Sequence, residues 1–289
     1  MQGPPGTDTT MTKTFLLGLG AQKCGTTWLY RTLNARKDVN MGFTKEYHIL
    51  DAIHVPECEM FRRRYETATR KAIQEGFDTY QFNPGRRDIQ RLSFVADVQT
   101  YYAYFTDLLS RSHVQCSGDV TPTYCALSEP VLASVKSEFA RRGIAVRPVF
   151  LMREPVQRLR SLVKMRFRKL EVVPSKAQEL EAMRDMGGSA YDRIRSDYAT
   201  TLQNLDAVFG AEAFVGFYET LFQQETIDRI TDLLGLPGMT PDFQQAFNVS
   251  RSDNTMTAED LAPFRNLYTR QYEALDARFG AATMREIWP

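Results

Sequence analysis

Charge of one sign is missing from this chain: 36 Lys and Arg stand against 35 Asp and Glu, a formal net charge of +1. Nothing global therefore draws it to nucleic acid or to an anionic membrane, and any basic site has to be local. Apolar runs of membrane-spanning length are missing as well. Met1 to Thr12 lacks the charged-then-apolar order of a secretory signal. Its Gly, Pro and Thr content predicts a disordered leader over residues 1–12. Histidine is scarce, with three residues, and the four cysteines (Cys24, Cys58, Cys116, Cys125) include no C-x-x-C pair. No metal site is expected from that set. Such cysteine usage fits a reduced, cytoplasmic protein.

What is present is an ordinary globular composition, 43% apolar and 25% charged. The 289 residues can bury one large core or two small ones. No repeat, low-complexity tract or linker divides the chain, so residues 13–289 read as one domain. Phe15 to Gly20 is a short apolar run ending in glycine, and a helix-like stretch opens at Thr26-Thr27. That is strand, turn, helix. Further strands are predicted at 39–41, 114–118, 146–152 and 214–218. Long helices are predicted over 57–75 and 88–111, parted by the turn Asn83-Pro84-Gly85, with a helical tail over 258–279. Strands separated by helices predict an α/β, P-loop-containing three-layer fold, its central, mainly parallel sheet flanked by helices. The loops after Gly20, Gly118, Met152 and Tyr218 then leave carboxyl ends of strands and should converge on one cleft.

Gly20-Ala21-Gln22-Lys23-Cys24-Gly25-Thr26-Thr27 has P-loop spacing, but threonine stands where the Walker lysine would be. The lysine has moved forward to Lys23. Gly25 still permits a tight turn, and the amides of Gly25, Thr26 and Thr27 can face an anion at a helix N-terminus. The plain alternative is a glycine turn that only joins strand to helix.

Gln-Lys-x-Gly-Thr-Thr with Leu29 and Leu33 behind it resembles the 5′-phosphosulfate loop of sulfotransferases that use 3′-phosphoadenosine 5′-phosphosulfate (PAPS). The likeness is greater to the bacterial and heparan-sulfate-type branch than to the phenol and steroid branch. It implies that Gln22, Lys23, Cys24, Gly25, Thr26, Thr27 and Trp28 hold the donor, with Lys23 catalytic. A sulfuryl group carries less charge than a phosphoryl group, so a lysine and backbone amides can handle it without metal.

Arg153-Glu154-Pro155 through Ser161 resembles the family's 3′-phosphate segment. Arg153 at a strand end can chelate a phosphate and Ser161 can add a hydroxyl. Arg153 paired with a surface carboxylate is the simpler reading of an isolated arginine. Lys45-Glu46-Tyr47-His48-Ile49-Leu50-Asp51 resembles the Lys-Glu-x-x-Phe-Phe-Asp segment of the heparan-sulfate branch, which places the catalytic base on Glu46. His48 is the rival base, since histidine titrates nearest neutrality. Tyr218 resembles the tyrosine near the adenine, and Arg251 falls in a loop that the family lays over the nucleotide. Two positions depart from the heparan pattern. Ile49-Leu50 replaces an aromatic pair, and Val120 replaces a lysine.

The resemblance implies sulfuryl transfer from PAPS, without metal, to a hydroxyl or amine of a small molecule or glycan. Acceptor contacts are expected from 52–113 and 165–197, where no motif names the acceptor. Oligomeric state is not legible. The basic run Arg158, Arg160, Lys164, Arg166, Arg168 and Lys169 reads as a solvated face, with guidance of an anionic acceptor or donor as the alternative, and Tyr101-Tyr102-Tyr104-Phe105 as core, with a sugar platform as the alternative. Two other functions share these residues. A P-loop kinase needs an acidic metal ligand, for which Asp119 is the one candidate. A nucleotide-binding module without chemistry would have no use for Glu46.

Overall fold

The computed structural model describes residues 12–81, 83, 86–245, 247 and 254–289. The predicted leader, Thr12 excepted, lies outside them, as do Pro84 and Gly85 of the predicted turn. Four parallel strands form the sheet: β1 (Lys13–Gly20), β2 (Cys116–Val120), β3 (Ile144–Met152) and β4 (Phe214–Phe217), in the order β2-β1-β3-β4. β1 is central and buried along nearly its whole length. Its unbroken apolar run is what a parallel strand covered on both faces requires. The chain leaves β1 in one direction for β2 and returns on the other side for β3. The crevice at the carboxyl ends of β1 and β3 is therefore the topological switch point.

Helices flank the sheet. Phe15 of β1 stacks on Phe139 with ring centroids 4.1 Å apart and meets Phe105 edge-on at 4.9 Å. Those rings come from the helices Glu129–Ala140 and Val98–Ser110. Tyr101, Tyr102 and Phe105 are buried, as expected of core.

The predicted helix 88–111 is two helices, Arg87–Ala96 and Val98–Ser110. Asp97 separates them, extended at φ −141° and accepting from the Gln99 amide at 2.9 Å. A carboxylate that caps a new helix competes with continuation of the old one. The predicted tail helix is likewise broken into Ala258–Arg265, a 3-10 turn at Asn266–Tyr268, and Thr269–Phe279. Pro263 removes an interior amide donor there. The predicted strand 39–41 is a single bridge from Val39 to Cys116. Asn40 turns its side chain onto the Gly42 amide at 3.0 Å and so ends the extended run.

The basic run is only in part a solvated face: Arg166 and Lys169 are exposed, but the others are not. Arg158 of the helix Pro155–Lys169 is fully buried and paired with Asp192, which also accepts from the Tyr268 hydroxyl at 2.7 Å. Arg160 pairs with the buried Glu179 at 2.6 Å. Arg168 and Lys169, at the other end of the helix, line the central cavity.

Candidate active site

A cavity of about 1000 Å³ opens at the switch point. The loop after β1 forms its floor and leads into the helix Thr26–Asn34, whose N-cap is Gly25. Gly25 has φ 84°, and a β-carbon there would come within 2.4 Å of Leu221, so glycine is required. No side chain caps this helix and its first turn holds no acid. Its leading amides and positive dipole end are left for an anion.

Lys23 sits on the loop at φ 73°. Burial, then the neighbouring charges of Arg168, Arg153 and Lys45, push its ammonium down to about 8. Cationic side chains therefore already crowd this end of the cavity. Arg153 leaves the end of β3, donates to the Lys23 carbonyl at 3.4 Å and lies over the Tyr218 ring at 4.3 Å. Among the described residues no carboxylate pairs with it. The adjacent Glu154 is engaged elsewhere, capping the Gln157 amide at 2.6 Å and accepting from Tyr272. Glu219 accepts from the Glu154 amide at 3.1 Å and so fixes the turn that presents Arg153. Ser161 faces the same cavity two turns further along the helix.

Glu46 and His48 come from the loop before a short helix at Leu50–His54. Lys45 donates to Glu46 Oε1 at 2.8 Å, and His48 Nε2 lies 3.4 Å from Oε2. His48 Nδ1 is 2.7 Å from Asp51, whose carboxylate also accepts from Thr123. The imidazole stacks on Phe61 with centroids 3.6 Å apart. Burial opposes ionisation of Glu46, but the His48 hydrogen bond and Lys45 outweigh it and bring it down to about 2. Burial also opposes charge on His48, yet its bonds to Asp51 and Glu46 carry it up to about 9. These shifts favour a Glu46 carboxylate beside a His48 imidazolium at neutral pH.

Beneath it lies Asp119, fully buried, accepting from Tyr101 at 3.0 Å, Tyr124 at 2.6 Å and Thr121 at 2.6 Å. Burial pushes its carboxyl up to about 6. Thr121 in turn accepts from the Tyr47 amide at 3.0 Å, which seats the Glu46 loop. Asp119 does not face the cavity, so the one acid offered as a kinase metal ligand holds the loop instead. Among the described residues no group of three or more His, Cys, Asp or Glu is placed to hold a metal ion. None of the helices described is long and apolar enough to cross a membrane.

Gln22, Lys23, Gly25, Thr26, Thr27, Trp28, Glu46, His48, Arg153, Ser161 and Tyr218 thus line one cavity. Cys24 does not. Its side chain is buried in the core, and desolvation raises the thiol to about 12. Arg251 lies outside the described residues. Lys45, Asp51 and Thr123 were not singled out from the sequence. Lys45 and Asp51 are the first and last residues of the segment that named Glu46. Thr123 is 75 residues from His48 and gave no local signal. An aromatic end was also missed: Phe222 and Phe243 flank Trp28 at 5.1 and 6.0 Å.

No family model matches the chain, and no curated protein does. Solved structures do. The crystal structure of a sulfotransferase from Alicyclobacillus acidocaldarius superposes with a TM-score of 0.59 at 18% identity, covering 92% of this chain and 95% of that one. A sulfotransferase domain from the curacin biosynthetic pathway gives 0.47 at 17% identity, over 86% of this chain and 83% of that one. A sulfotransferase from Mycobacterium avium gives 0.44 at 13% identity, over 91% of this chain and 69% of that one. This chain shares its fold with the sulfotransferase from Alicyclobacillus acidocaldarius.

Proposed function

We propose that the chain transfers a sulfuryl group from PAPS to a hydroxyl or amine. The observation that carries this reading is the meeting of three groups in one cavity: the uncapped helix with Lys23, Arg153 with Ser161, and the Glu46–His48 pair. The phosphosulfate rests on the amides of Gly25, Thr26 and Thr27. Arg153 and Ser161 take the 3′-phosphate. The adenine lies among Trp28, Tyr218 and Phe222, where stacking is available.

In the reaction the acceptor attacks sulfur in line. The bond from sulfur to the bridging oxygen breaks, and 3′-phosphoadenosine 5′-phosphate (PAP) departs. Glu46 takes the proton that the acceptor loses. Lys23 follows the charge that grows on the leaving phosphate, an interaction stronger in the transition state than before it. His48 is already protonated near neutrality, which supports the role of holding Glu46 rather than acting as base. Lys23, Lys45, Arg153 and Arg168 supply the positive charge that a metal supplies in P-loop kinases.

The test is a screen of small-molecule and glycan acceptors with isotopically labelled PAPS, read by product mass. Label transferred to an acceptor, with PAP formed in equal amount, supports the proposal. Label released only as inorganic sulfate at every acceptor contradicts it.

A further inference from the structure

We infer that the acceptor carries an anionic group of its own, a carboxylate or a sulfate or phosphate ester, and that Arg195 receives it. The inference rests on reading the cavity as a sulfotransferase site.

Arg195 lies on the helix Ala190–Ser196 and lines the cavity although only 3% exposed. Its guanidinium covers the Tyr191 ring at 3.5 Å, and Nη1 donates to the Tyr191 carbonyl at 2.8 Å. Nε is buried with no hydrogen-bond partner. Among the described residues no carboxylate pairs with Arg195. The contrast with Arg158 is direct: that guanidinium is equally buried, but Asp192 faces it. A buried cation without a counter-charge is costly, and leaving a donor unbonded adds to the cost. A ligand anion relieves both. Nε and Nη2 form one edge of the planar fork, the edge that receives a carboxylate or ester oxyanion side-on.

Arg195 also stands at the acceptor end. Its helix is tied to the turn Pro122–Ala126, which carries Thr123, by the Cys125 thiol donating to the Ile194 carbonyl at 3.3 Å. Asp51 and Thr123 are the groups that hold His48. The donor has its own cations in Lys23 and Arg153. Glu46 is the one carboxylate among the described residues lining the cavity, and it is engaged by Lys45 and His48. Among the described residues that line the cavity, no carboxylate is left to pair with Arg195.

The experiment uses the full chain saturated with PAP and two acceptor analogues of equal shape, 4-hydroxyphenylacetate and 4-hydroxyphenylacetamide. An aromatic probe suits the Phe61 and Tyr65 side chains that line the cavity. Binding is read by calorimetry, so turnover is not needed. The carboxylate should bind about tenfold or more tightly than the amide. Arg195→Met should bring the two within about twofold, with PAP affinity unchanged. Arg195→Lys, which keeps charge but loses the side-on edge, should fall between, and it stands in if the Met variant does not fold. Equal binding of the pair by the unmutated protein, binding of neither, or a preference that survives Arg195→Met overturns the inference. So does a tenfold loss of PAP affinity in Arg195→Met, which would assign this arginine to the donor. Failure of the unmutated protein to bind PAP at all would instead remove the sulfotransferase reading, and the inference with it.

Discussion

Lys45 donates to Thr26 Oγ1 at 3.1 Å while its ammonium also holds Glu46 at 2.8 Å. One side chain thus ties the proposed donor loop to the proposed base. Both elements reach the cavity from different parts of the chain, and Lys45 fixes their separation. It also helps keep Glu46 ionised.

The base assignment leads to a pH profile. A Glu46 carboxyl near 2 stays ionised throughout the working range, so maximal rate should be flat from pH 5 to 7.5. With His48 near 9 as base, the rate would instead climb about tenfold per unit as the imidazolium deprotonates. Glu46→Gln should lower the maximal rate by about 10²–10⁴-fold with PAP binding retained. A climbing profile, or activity lost in His48→Ala and kept in Glu46→Gln, would move the base to His48.

Lys23→Ala should remove most turnover and keep much of the PAP affinity, because its charge matters most as the leaving phosphate develops. Lys23 near 8 adds a pH test. In the free protein its charge is lost as pH rises through that value, so kcat/KM should decline above pH 8. Arg in its place stays charged, and Lys23→Arg should flatten the decline. Near-normal turnover in Lys23→Ala would detach this loop from the phosphosulfate.

Arg153→Ala should weaken PAP and leave AMP nearly unchanged, since only PAP has the 3′-phosphate. Charge-assisted bonds of this kind are worth about 1.5–3 kcal/mol. Calorimetry with both nucleotides decides. Equal losses would mean that Arg153 holds the loop through the Lys23 carbonyl rather than a phosphate.

Asp192→Ala tests the interior, away from the cavity. It leaves Arg158 buried and unpaired, and removes the acceptor of the Tyr268 hydroxyl and the Gly188 amide. The expected cost is about 3–5 kcal/mol in chemical denaturation. A loss below about 1 kcal/mol would show that the pair contributes little.

Much of the proposed donor site could be assembled from the sequence because its signals are local. Strand, glycine turn and helix are adjacent from Phe15 to Leu33, and Arg153 to Ser161 is a single strand end and helix. Long-range partners were not legible. Arg158 meets Asp192 34 residues away, and Thr123 meets Asp51 72 residues away. A basic run read by itself looks solvated until its distant acids are known. Cys24 shows a different limit. Position in the loop is visible in sequence, but the direction of the side chain depends on the backbone turn around Gly25. Asp97 broke a helix because a capping side chain competes with periodicity, and both readings fit the same residues.

The central claim is that the cavity binds a 3′-phosphorylated adenine nucleotide without metal, and thermal shift tests it most directly. A ligand held by the native state at 100 times its dissociation constant adds about 2.7 kcal/mol to stability. PAP with a chelator present should raise the melting temperature by several degrees, and ATP with magnesium should raise it less. Stabilisation by ATP with magnesium and none by PAP would contradict the account and point to phosphoryl transfer.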